Sequence, residues 1–196
     1  SSFPLVLNSF NSERFVADNP FGFADRYAGD AAFLSRKDAL GGGRYATNFV
    51  DDVRRVETEI FDIRGKGSGY QGWAMAGNSM IKLHIADIPP GRYKKAHRHS
   101  TDAFILLLSG TGFSVTWPEG FYNKRQRVDW RPGTLFVPPT YWYHQHLNTG
   151  TTAARYLAIN ATYLLQDLGL RFEDQLESDL PEVRAEWQQE LAGQQQ

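Results

Sequence analysis

A chain of 196 residues with 41% hydrophobic and 14% aromatic content carries enough apolar surface for one globular domain with terminal decorations. Lysine plus arginine (21) nearly cancel aspartate plus glutamate (22), and a net charge of -1 supplies no overall field to hold a nucleic acid or an anionic membrane. The absence of cysteine excludes disulfides, thiolate metal sites and a cysteine nucleophile, leaving histidine and carboxylate as the strong metal-binding side chains.

The amino end, SSFPLVLNSF, lacks the basic, apolar, small-residue order of a signal peptide, and no apolar run approaches the roughly 20 residues needed to cross a bilayer. A cytoplasmic location is therefore expected. Residues 1–53 read as an amino-terminal arm, in which FADRYAGDAAFLSRKDAL is a candidate amphipathic helix stopped by Gly41, Gly42 and Gly43. From residue 54 the texture changes to short β-branched and aromatic segments separated by glycine, proline and asparagine. The expected strands are RVETEIFDI, YQGWAM, SMIKLHIADI, the stretch around AHRH, AFILLLS, GFSVTW, QRVDW, TLFVP, WYHQHL and ARYLAINATYL, which make an antiparallel barrel or sandwich over 54–165. The run FILLL does not alternate, so both its faces should be buried, and a homodimer is one way to cover the outer one. Residues 166–196 read as a tail whose helix begins or is interrupted at Pro181.

Four of the five histidines sit in two His-x-His pairs, His97 with His99 and His144 with His146. Residues two apart in a strand point to one face, so each pair can aim two imidazoles into a shared interior. His84, on the earlier strand IKLHIADI, reads as a satisfied barrel histidine rather than a ligand.

Around these pairs the sequence runs Gly91, five residues, His97, Arg98, His99 and later Gly110, then Gly133, TLFVP, Pro139, Tyr141, His144 and Asn148. The pattern resembles the two motifs of the cupin superfamily and implies an all-β fold, a cupin (double-stranded β-helix, jelly-roll-like) barrel flanked by the helical arm and the carboxy-terminal helix. Two positions depart from it. Ala103 stands where most cupins carry a glutamate ligand, and Asp102, one residue earlier, has the wrong pleat parity to replace it. Tyr141 stands where the second motif has glycine. Within the superfamily, AHRHSTDAF and YHQHLN look most like the gentisate-type ring-cleaving dioxygenases. That likeness implies His97, His99 and His144 as ligands of Fe(II), with His146 as a pocket histidine that hydrogen-bonds or deprotonates a phenol.

Three neutral imidazoles also suit zinc, nickel, manganese or copper, and they leave room for a chelating substrate together with O₂ or water. Trp142, Phe104, Tyr141 and Trp73 are candidate walls for a flat substrate, and Arg155, Arg92 or Arg98 could anchor its carboxylate. Asn148 should fix the turn after the metal strand. The implied reaction is a dioxygenation of a small aromatic or chelating oxygenated compound. The same site could instead serve a Lewis-acid lyase, isomerase or hydrolase, or a non-catalytic binding protein.

Overall fold

The computed structural model describes residues 38–47, 49–74 and 80–193. Most of the expected helical arm lies outside these residues. Its last three, Asp38 to Leu40, form not helix but β1 (Asp38–Gly41), which turns through Gly42 and Gly43 into the antiparallel β2 (Arg44–Ala46). Gly41, Gly42 and Gly43 all take positive φ, so they build a tight hairpin turn rather than a helix stop.

β2 runs parallel to β4 (Gly69–Ala74), which also pairs with the short β3 (Glu59–Ile60). The sheet continues through β5 (Lys82–Ile88), β12 (Ala154–Asn160), β7 (Ala103–Ser109) and β10 (Leu135–Phe136). A second sheet is ordered β13 (Glu173–Gln175), β6 (His97–His99), β11 (Tyr143–Asn148), β8 (Gly112–Trp117) and β9 (Gln126–Trp130). Between the sheets lies a core of Ala86, Ile88, Ala103, Ile105, Leu107, Trp130, Ala154, Tyr156 and Ala158.

Pleat alternation fixes what each strand sends inward. Tyr156 lies opposite Ala86 and Ala158 opposite His84, so β5 contributes His84, Ala86 and Ile88 to the interior. On β7, Ala103 and Ile105 point in and Phe104 points out. Phe104 remains 52% exposed, so the FILLL run is not closed on its outer face within the chain.

On the second sheet β11 is buried throughout, because both of its faces are covered. His144, His146 and Asn148 face the barrel interior. Tyr143 and Leu147 face out with Phe113, Val115 and Trp117, packing near Leu176, Leu180, Val183 and Trp187 of the tail. Pro181 starts the tail helix, α2 (Pro181–Gly193), which follows α1 (Thr162–Asp167); its fixed φ and missing N–H suit a first helical turn. Ahead of Pro181 the tail is not helix: β13 pairs antiparallel with β6. ARYLAINATYL likewise splits into β12 and α1. No helix among the described residues is long and apolar enough to cross a membrane.

Candidate metal centre

The site is assembled by register. β6 and β11 are antiparallel neighbours with His97 directly opposite His144, so these rings share a face and their centroids lie 4.3 Å apart. His99, two residues along β6, falls on the same face with its ring 4.8 Å from that of His144. The ligand atoms of His97, His99 and His144 all lie within 4.8 Å of one another.

What orients the rings is main-chain hydrogen bonding. Nδ1 of His97 meets the carbonyl of Lys95 at 2.9 Å, Nδ1 of His99 that of Thr101 at 2.7 Å, and Nδ1 of His144 that of Trp142 at 3.2 Å. A carbonyl can only accept, so each Nδ1 carries the hydrogen and each Nε2 keeps its lone pair for a metal. Burial, with the neighbouring histidines, holds His97 and His144 well below the ordinary histidine range, and burial lowers His99 as well. The rings are therefore neutral at physiological pH, the form a metal ligand needs. Tautomer, charge state and spacing all fit one divalent ion.

His146 has the opposite orientation. Its Nδ1 is 2.7 Å from Ser114 Oγ, and that oxygen accepts a hydrogen bond from Trp130 Nε1 at 3.0 Å. With Ser114 Oγ accepting from Trp130, its own hydroxyl hydrogen is free to go to Nδ1, which places the His146 hydrogen on Nε2. Burial first, then the charges of Lys94 and His99, push His146 down to about 3. Phe136 and Tyr156 flank it at 5.9 and 5.4 Å between centroids.

Several residues singled out in the sequence lie elsewhere. Arg155 is on the outward face of β12, with its fork on Asp87 (2.8 Å for both contacts) and Nη1 on the Arg54 carbonyl, so it does not anchor an interior ligand. Arg98 alternates with the two metal-site histidines and is held outside by Glu119 and Asp174, while Arg92 is exposed. Trp73, buried, falls with Leu83 on the face opposite Gly72 and His84, and Phe104 likewise points away from the interior.

Tyr141 is 53% exposed with its ring against Phe172, and Trp142 is half-buried beside it. Tyr141 adopts φ +64°, a left-handed conformation that glycine takes without steric cost, as the cupin-like motif with glycine at this position would allow. Asp102 is exposed, accepts from Thr140, and does not join the triad. Asn148 does hold the turn, donating to the carbonyls of Ile88 and Thr152 and accepting from Gly150 N–H. The inward residues that sequence reasoning passed over are Ser114, Tyr156, Lys94 and Lys82.

Residues 84–160 match the family model described as the cupin domain. The fold over these residues is cupin-like. Its solved structural neighbours include salicylate 1,2-dioxygenase from Pseudoaminobacter salicylatoxidans with gentisate adducts, at 11% identity over 58% of this chain and 30% of that one, TM-score 0.49. A second structure of that enzyme, without gentisate in its description, gives 20% identity over 57% and 32%, TM-score 0.47. The 7S globulin of Momordica charantia gives 12% identity over 59% and 35%, TM-score 0.49. This chain thus spans about a third of the length of each. No curated protein matches it.

Proposed function

We propose that this cupin domain is a mononuclear non-haem Fe(II) dioxygenase acting on a small aromatic or otherwise chelating oxygenated compound. The observation that supports the reading is the donor set itself: three imidazoles with their Nδ1 hydrogens committed to carbonyls, and no carboxylate in the group. Such a set offsets none of the charge of a divalent ion and fills only three positions, so an oxygen-rich chelating ligand has both room and an electrostatic reason to bind. When bound, Fe(II) supplies the one-electron chemistry with O₂ that amino-acid side chains lack.

The chain's own residues do the remaining work. His97, His99 and His144 hold the ion. His146 donates from Nε2 to a substrate oxygen, with Ser114 and Trp130 fixing the plane of its ring. Phe136 and Tyr156 pack around that donor and keep water from competing for it.

The test is anaerobic addition of a panel of phenolic acids to the Fe(II)-loaded protein. A charge-transfer absorption with at least one of them is expected, followed by O₂ uptake when air is admitted, and His97→Ala should abolish both by losing the metal. A protein that binds iron through these histidines yet shows neither absorption nor uptake with any of the panel overturns the dioxygenase reading.

A further inference from the structure

The interior next to the triad holds cations of its own. Lys94 is only 4% exposed, and its main-chain N–H is tied to the His146 carbonyl at 2.8 Å. Its Nζ stands 5.1 Å from the centroid of Tyr156, the ring that lies 5.4 Å from His146. Lys82, on the inward face of β5 with His84, places Nζ 5.6 Å from the centroid of Tyr70, whose ring is 5.3 Å from that of His84. Among the described residues neither ammonium makes an ion pair or a hydrogen bond; each lies over an aromatic face. His84 adds a buried Nδ1 with no hydrogen-bond partner.

Among the described residues no free carboxylate is at hand to balance them. Asp87, whose charge reaches Lys94, lies on the other side of the sheet and is already engaged by Arg155 and by Thr58. Arg64, whose positive charge reaches Lys94, Lys82 and His84, pairs with Glu173 and donates to Gln175. Burying an ammonium without a counter-charge is costly, and a ring face returns only part of that cost. A divalent ion on three neutral imidazoles would add to the same excess of positive charge. A bound anion would balance them.

We propose that the substrate of this site is a small organic anion and that Lys94 is its direct ligand, with Lys82 strengthening the field. This names the substrate class for the site described above and rests on that reading for the metal, though not for the oxygen chemistry. Lys94 takes the role that the sequence suggested for Arg155, Arg92 or Arg98. A carboxylate and a phosphate would both satisfy it.

The experiment is a calorimetric titration of the full chain loaded with redox-inert zinc, using benzoate, phenyl phosphate and the neutral isostere benzamide. At least one anion is expected to bind about tenfold or more tightly than benzamide, as a charge-assisted hydrogen bond in a buried site provides. Which anion does so distinguishes carboxylate from phosphate. Lys94→Met should erase the preference and Lys82→Met should reduce it, both with zinc content unchanged. Equal binding of the three compounds by the unsubstituted protein overturns the proposal, as does an unchanged preference in either variant. A Lys94-dependent preference in a protein that never consumes O₂ would sink the dioxygenase reading and leave this assignment standing.

Discussion

Replacing Lys94 by methionine keeps the aliphatic stem and removes the buried charge. Burial, with the nearby charges of Arg64 and Lys82 outweighing that of Asp87, pushes this lysine down from 10.5 to about 7. A displacement of 3.5 units at about 1.4 kcal/mol each sets a ceiling on the order of 5 kcal/mol for the penalty of folding around the ammonium. Losing the contact with Tyr156 forfeits up to about 2 kcal/mol, so the substitution should stabilise the protein by about 3 kcal/mol.

The gain has a definite pH dependence. Below pH 7 the lysine is protonated in both folded and unfolded chains, and the penalty is present in full. As the pH rises from 7 towards 10.5 the folded protein releases a proton that the unfolded chain still holds, and the penalty fades. Urea unfolding of both proteins at pH 6 and pH 9, in buffer free of phosphate and carboxylate, should therefore show the protonation penalty that Lys94→Met removes shrinking from about 5 to about 2 kcal/mol, and with it the advantage of the variant. A variant less stable than its parent at pH 6, or an advantage independent of pH, refutes the reasoning.

Ser114→Ala removes the acceptor of Trp130 Nε1 and the partner of His146 Nδ1 together. It should cost about 1–3 kcal/mol in urea unfolding, for a buried donor left unpaired, while metal content stays at the parental level. Tyr141→Gly should raise the melting temperature by roughly 2–4 °C, through relief of about 1 kcal/mol of left-handed backbone strain at φ +64°. A lower melting temperature would show that the Tyr141 ring against Phe172 outweighs the strain.

Much of the barrel was legible because period-2 alternation and the two His-x-His pairs are local signals. Parity placed His97 with His99 and His144 with His146, each pair on one face, and the strand register then puts His97 directly opposite His144. Anchors could not be chosen that way. In ARYLAIN both faces are largely apolar, so alternation did not say whether Arg155 or Tyr156 points inward, and the guanidinium was the more conspicuous group. Lys94 lies outside the regular strands, where pleat parity has nothing to say, and its inward direction follows from tertiary packing on Tyr156. Residues 173–175, rich in charge, gave no β signal at all; they become a strand because β6 offers them an open edge. The positive φ at Tyr141 shows the reverse case, in which the tertiary structure imposes on a tyrosine a backbone that glycine would adopt freely.

That open edge ties together two events distant in sequence. β6 is three residues long, bounded on one side by β11 and on the other by Glu173–Gln175. An ion that steadied His97 and His99 would also steady the ladder on which the carboxy-terminal segment docks, and by reciprocity the docked segment would raise the affinity for that ion by the same factor. A substitution that weakened the β13 pairing would then be expected to weaken metal affinity as well, which a metal titration of the variant measures.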